Sequence, residues 1–287
     1  MSSHPTPPER PFGTVAVLGL GAMGGSLARA LSALQDAPRV VGWSPVGSER
    51  DAAANAGAVQ STPTEWREAV AGADLVVLAA PLGACCELLD GLAEATSPEA
   101  TLSDVASLKA PIQRAAAEAG LLDRWVGAHP MAGTEESGFG ASRADLYDGA
   151  RVWTVADASA EERVPSVHAL WRSIGARPEE IDAREHDRLM ALASHLPQLV
   201  SNALASVLAR SEIKPDDLGP GGSDMTRLAG SSPSIWHDLL EHAAPELAGG
   251  LDELAEMSKK VAHMLRCGDL DAIERLMSET REWSQGA

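Results

Sequence analysis

Cysteine is scarce. The chain has three, two of them adjacent at Cys85 and Cys86, which supplies neither a disulfide framework nor the paired spacing of a zinc site. No metal is expected, and a reducing, cytoplasmic compartment fits. Aromatic residues are few, at 3% with a single Tyr, so the stacking platforms of single-strand binders are missing. Basic residues are outnumbered, with 23 Lys and Arg against 41 Asp and Glu and a net charge of −18. A chain without a basic face is a poor partner for phosphate backbones, which excludes nucleic acid. Long apolar runs are also missing. The strongest, Leu75 to Cys86, is broken by Pro81 and falls short of the roughly 20 residues that cross a bilayer, so no membrane partner is expected. Residues 1–12, MSSHPTPPERPF, contain no apolar run and read as a disordered arm, not a signal peptide.

What remains is ample material for a folded core. The chain has 287 residues, 45% of them hydrophobic, enough for two domains at roughly 100–200 residues each. From Thr14 onward, short β-rich runs alternate with longer Ala-rich segments, a pattern that predicts parallel strands joined by crossover helices. The strand candidates are Thr14–Leu18, Arg39–Gly42, Leu75–Ala79, Thr101–Val105, Trp125–Ala128 and Val152–Ala156. Their apolar character on both faces suits a sheet covered by helices on both sides. After about Asp182 the β-rich runs stop, and Leu189, Leu192, Leu196, Leu199, Val200, Ala203 and Leu204 recur at helical spacing. The expected division is an α/β domain over 13–182 and an all-α domain over 183–287.

The first strand runs into Gly19-Leu-Gly21-Ala22-Met23-Gly24, a GxGxxG where a strand turns into a helix. In that context the first glycine permits a tight turn and the second lets backbone approach a pyrophosphate. The third allows close helix–strand packing, and the helix N-terminus faces the phosphates. This is the signature of a Rossmann-type dinucleotide-binding domain, so the expected cofactor is NAD⁺ or NADP⁺. An NAD-selective fold usually carries Asp or Glu at the end of the second strand. Here that strand ends Val41-Gly42-Trp43-Ser44. With no acidic residue there, NADP⁺ is permitted and NAD⁺ is not excluded. Ser44 is a candidate cofactor contact, or simply the cap of a turn.

Ligands of open parallel sheets sit outside the carboxyl ends of the strands. Three polar clusters follow strands there: Ala80-Pro81-Leu82-Gly83, Ala106-Ser107-Leu108-Lys109, and His129-Pro130-Met131-Ala132-Gly133-Thr134-Glu135. Pro81 is placed against the cofactor. A histidine beside a nicotinamide can take the proton of a substrate hydroxyl as hydride leaves the carbon bearing it, which makes His129 the candidate acid–base residue. Ser107 can hydrogen-bond the same oxygen, and Lys109 is a candidate anion contact. A purely structural His129 is the competing reading. Cys85 and Cys86 read as packing residues, since no basic neighbour activates a thiol.

In the second half, Ser194-His195-Leu196-Pro197-Gln198 interrupts an apolar helix. His195, Gln198 and Asn202 share one face there, and Pro197 predicts a kink that opens a pocket wall. A satisfied core histidine is the alternative for His195. After the Leu218-Gly-Pro-Gly-Gly-Ser223 loop, Asp224 and Arg227 stand at i, i+3. The guanidinium fork suits a carboxylate ligand, and an ordinary surface ion pair is the bland reading.

Taken in order, these clusters resemble the prephenate/arogenate dehydrogenase family of tyrosine biosynthesis. The resemblance rests above all on Gly127-Ala-His-Pro-Met-Ala-Gly-Thr-Glu-Glu-Ser-Gly138, Ser194-His-Leu-Pro197 and Gly219-Pro-Gly-Gly-Ser-Asp-Met-Thr-Arg227. It implies a nucleotide-binding domain followed by a helical dimerisation domain, hence a homodimer, with the active site between the two. It also implies NAD(P)⁺-dependent oxidative decarboxylation of prephenate or arogenate. By the same resemblance His129 binds the 4-hydroxyl, Ser107 assists it, and Arg227 holds a substrate carboxylate. Glu135 and Asp224 are charge partners near the entrance, and His195 lines the substrate. Gln198 stands where many prephenate-using members carry a second histidine, which leaves prephenate against arogenate open.

Overall fold

A computed structural model describes residues 11–134, 136–231 and 236–286. Glu135 and most of the arm expected over residues 1–12 lie outside the described residues. The chain divides into two compact units, the first running to Asp187 and including residues 236–242, the second comprising 188–231 and 243–286. The expected division after 182 and this one differ by five residues, a shift that matters for the site.

The first unit begins β1 (Thr14–Leu18), α1 (Ala22–Ser32), β2 (Arg39–Trp43), α2 (Gly47–Asn55), α3 (Trp66–Val70), β3 (Leu75–Leu78), α4 (Leu82–Ala95), β4 (Thr101–Asp104) and α5 (Ala110–Glu118). Its four strands form a parallel sheet in the order β2-β1-β3-β4. Alternation along each strand divides the core between two faces. Val15, Val17, Leu75 and Val77 pack in one cluster, whereas Ala16, Leu18, Val76 and Leu78 pack in the other. Both faces are dry, which is why these runs show no polar alternation.

The chain continues through β5 (Val126–Pro130), β6 (Arg151–Ala156), α6 (Val164–Ser173) and β7 (Arg177–Glu180). These strands form a second, three-stranded sheet in which β5 pairs antiparallel with β6, and β6 pairs parallel with β7. The expectation of uniformly parallel strands therefore fails at β6. Among the described residues of 131–150 the helical content is a short 3₁₀ turn, Phe139–Ala141, and no crossover helix, and without a crossover the chain returns antiparallel. β7 escaped prediction because Arg177-Pro-Glu-Glu180 is polar, with only Pro178 buried. A parallel bridge between Leu102 and Trp125 joins the start of β5 to the first sheet.

Helix α7 (Ala183–Met190) begins in the first unit. The second unit contains a π-helical turn, Ala191–His195, then α8 (Leu196–Arg210), α9 (Pro220–Thr226), most of α10 (His237–Cys267), and α11 (Leu270–Ser284). The predicted kink at Pro197 takes the form of the π turn. Proline offers no N–H to the Ala193 carbonyl and its ring crowds that carbonyl, so the preceding turn widens. Among the described residues, no helix is long and apolar enough to cross a membrane.

Candidate functional site

The glycine motif builds a cradle at the carboxyl edge of the first sheet. Gly19 has φ +108°, and a Cβ there would meet the Ala79 carbonyl oxygen at 2.3 Å. At Gly24 a Cβ would lie 1.9 Å from the Gly19 carbonyl oxygen, so α1 reaches the turn only because that side chain is absent. Gly21 has nothing within 4 Å of its would-be Cβ, and as the N-cap of α1 it makes no side-chain capping bond. The free N–H groups of Ala22 and Met23 therefore begin a helix whose positive end faces open space. Met23 is held in place by the sole tyrosine, since Tyr147 donates its hydroxyl to the Met23 carbonyl at 2.7 Å.

A cleft of about 770 Å³ opens on this cradle, lined by Gly19, Gly21, Ser44, Glu49, Trp66 and Pro81 among others. A pyrophosphate-bridged dinucleotide fits such a donor set: an uncapped helix end, a bare glycine backbone and an apolar-walled cleft. Ser44 is buried and acts as a turn residue, accepting from the Val46 N–H at 3.2 Å and donating to the Glu49 carboxylate at 2.5 Å. The strand end itself carries no carboxylate, but the first turn of α2 brings Glu49 to it. The Arg50 guanidinium donates to the Ser44 carbonyl. Sequence reasoning missed Glu49 because it looked only at the strand's last residues.

His129 lies within β5 and not beyond it, paired across the sheet with Trp153. Ser107 is half-buried in the loop after β4, and the parallel bridge of Leu102 to Trp125 brings the carboxyl ends of β4 and β5 to one edge. Lys109 is no anion contact. It is 1% exposed, and its ammonium is held by the Asp104 carboxylate and by the Ala128 carbonyl. Burial pushes the Asp104 carboxyl above the usual range against the opposing pull of Lys109.

Two residues that sequence reasoning passed over complete this edge. His186, fully buried on α7, places Nε2 2.8 Å from His129 Nδ1 and Nδ1 2.7 Å from Asp187 Oδ1. Asp187 also accepts the backbone N–H of Lys109 and of Ala110, each at 2.8 Å, at the start of α5. The adjacent His-Asp pair was a visible signal, but it sat in a stretch, Asp182-Ala-Arg-Glu-His-Asp-Arg188, polar enough to pass for a linker. The expected boundary at 182 then assigned it to the other domain.

In the second unit, His195 ends the π turn and is buried, as is Gln198 one turn on. The Gln198 amide is fully engaged: it donates to Asn202 Oδ1 and to the Leu228 carbonyl, and accepts from the Ser231 hydroxyl. Gln198 thereby ties α8 to the 3₁₀ turn Arg227–Gly230. Asp224 in α9 and Arg227 at the start of that turn are both exposed. Cys85 is buried with its thiol pushed up to about 12, chiefly by desolvation, which suits a packing role. Among the described residues, no cluster of metal-ligating side chains occurs.

Residues 27–180 match the family described as prephenate dehydrogenase, nucleotide-binding domain, and residues 182–279 match prephenate dehydrogenase, dimerization domain. The cyclohexadienyl dehydrogenase of Zymomonas mobilis is 29% identical over 277 residues, covering 94% of either chain. The prephenate dehydrogenase of Bacillus subtilis is 27% identical over 282 residues, 95% of this chain and 76% of that one. Among solved structures, the prephenate dehydrogenase of A. aeolicus in complex with hydroxyphenyl propionate and NAD⁺ superposes with a TM-score of 0.86 at 25% identity, over 96% of this chain and 98% of that one.

Proposed function

The chain belongs to the prephenate dehydrogenase family, and we propose that it converts prephenate to 4-hydroxyphenylpyruvate with hydride transfer to NAD⁺. The observation that carries this reading is His129, fixed on β5, a strand that a parallel bridge joins to the sheet bearing the dinucleotide cradle. The nicotinamide, when bound, supplies the hydride acceptor. His129 takes the proton of the 4-hydroxyl as the C4–H electron pair departs. The ring carboxylate leaves as CO₂, its bonding pair enters the ring, and aromatisation drives the step. His129 returns the proton to the nascent phenolate, so none is consumed overall. Ser107 hydrogen-bonds the same oxygen, and Arg227 holds a substrate carboxylate through its guanidinium fork. His195 lines the substrate, with Asp224 and Glu135 as charge partners of Arg227.

Glu49 supports NAD⁺ over NADP⁺. A carboxylate hydrogen-bonded to Ser44 at the end of β2 suits ribose hydroxyls and repels a 2′-phosphate. Arogenate is the second reading. It is favoured by Gln198, whose amide is committed within its own unit and offers no cation to a pyruvyl group. The helical unit exposes Leu265, Leu270, Met277 and Trp283, apolar surface suited to a homodimer. Few cysteines and a nicotinamide cofactor suit the cytoplasm.

The test is an absorbance assay crossing prephenate and arogenate with NAD⁺ and NADP⁺. Reduction with prephenate and NAD⁺ is expected, and no reduction in any of the four mixtures overturns the reading. Arg227→Ala should raise KM for substrate while the Kd of NAD⁺ holds. An unchanged KM removes its carboxylate role.

A further inference from the structure

Asp187, His186 and His129 form a chain whose hydrogen positions follow from donor arithmetic. The Asp187 carboxylate can only accept, and it already accepts two backbone N–H groups at the start of α5. The nitrogen 2.7 Å from it, His186 Nδ1, must therefore carry a proton. A neutral imidazole has one N–H, so His186 Nε2 is an acceptor. Its neighbour at 2.8 Å, His129 Nδ1, is then the donor. That leaves the lone pair of His129 on Nε2.

We propose that His186 and Asp187 are positioning residues that hold His129 in the Nδ1–H tautomer, with Nε2 presented as the base. This rests on the reading of His129 as the acid–base residue. During turnover the substrate O–H bond breaks and the Nε2–H bond of His129 forms. The positive charge that results is shared through the Nδ1–H toward His186 and met by Asp187. His186 is fully buried, so water does not compete for either of its nitrogens. The proton then returns along the same bond to the phenolate oxygen. Two features favour this over mere packing. The two rings meet edge to face, 5.0 Å between centroids and 77° apart, which aims one nitrogen at another. Asp187 is itself fixed by backbone and cannot swing away without uncapping α5.

The wild-type protein carries the first test. In nitrogen-15 histidine spectra, with His129 assigned by its loss in His129→Asn, the expected form is protonated Nδ1 and bare Nε2. The opposite tautomer overturns the proposal, whatever any variant does. The second test separates positioning from packing. His186→Gln keeps an oxygen near the Nε2 position to accept from His129, whereas His186→Leu removes the acceptor at similar volume. We expect kcat within about tenfold of wild type for Gln and a loss of about 100-fold or more for Leu, with KM and the Kd of NAD⁺ changed less than about threefold in both. Asp187→Asn should resemble Leu in kcat. Equal kcat for Gln and Leu overturns the relay. Near-wild-type turnover in His129→Asn instead removes the underlying reading of His129, an outcome distinct from the other two.

Discussion

The Lys109 ammonium sits between the Asp104 carboxylate and the carbonyl of Ala128, the residue before His129. One buried cation thus joins the end of β4 to the strand that carries the base. Removing it leaves a carboxylate with no counter-charge in a dry interior. Lys109→Met should lower unfolding free energy by about 3–5 kcal/mol, measured by urea denaturation. The double variant Asp104→Asn/Lys109→Met should recover part of that loss. Asp104 is already pushed up by burial, so in Lys109→Met it binds its proton more tightly folded than unfolded. The deficit of the single variant should then shrink as pH falls and grow as pH rises. A pH-independent deficit would show that lost packing, not charge, is responsible.

Glu49 meets Ser44 at the rim where an adenosine ribose would lie. Glu49→Gln removes the charge and keeps the shape. It should tighten NADP⁺ about tenfold, some 1.4 kcal/mol, and change NAD⁺ much less, as read by fluorescence titration without substrate. If NADP⁺ affinity stays put, the selectivity lies elsewhere in the cleft.

Two glycines of one motif should fail in different ways. Gly24→Ala forces a methyl to within 1.9 Å of the Gly19 carbonyl and should cost about 2 kcal/mol or more of stability. Gly21→Ala meets no atom within 4 Å, so it should melt like wild type yet bind NAD⁺ more weakly. Thermal melts and cofactor titrations of the pair separate packing from ligand clearance. Tight NAD⁺ binding by Gly21→Ala would refute the proposed approach of the pyrophosphate.

The net charge of −18 repels both an anionic substrate and an anionic cofactor at long range. Raising salt to about 0.3 M shortens the screening length below 10 Å. KM for prephenate should then hold or fall. A steep rise would point to basic surface that gathers substrate, which Lys109 in its buried ion pair cannot supply.

The parallel half of the first unit was legible because its strands are apolar on both faces, and Val15 to Leu18 or Leu75 to Leu78 could hardly be anything else. β7 was not, because an edge strand such as Arg177-Pro-Glu-Glu180 needs only backbone bonds to β6 and carries no apolar signature. The glycine cradle was readable from local spacing, as was the place of His129 on its strand. The role of Lys109 was misread because nothing in Ala106-Ser-Leu-Lys109 reveals that its side chain turns inward to Asp104. His186 and Asp187 were invisible for a related reason. Their partners lie 57 and 78 residues away, and only the folded chain brings them together.

The main run of the first compact unit extends past its last strand to Asp187. A polypeptide emerging from the ribosome could complete every strand of this unit, and so the nucleotide cleft, while still lacking His186 and Asp187, the two residues proposed to orient His129. Cofactor capture and acid–base competence would then mature at different moments of synthesis. The same seam constrains recombination: a crossover at Asp182 would pass on His129 without His186 and Asp187, whereas one after Asp187 would pass on all three.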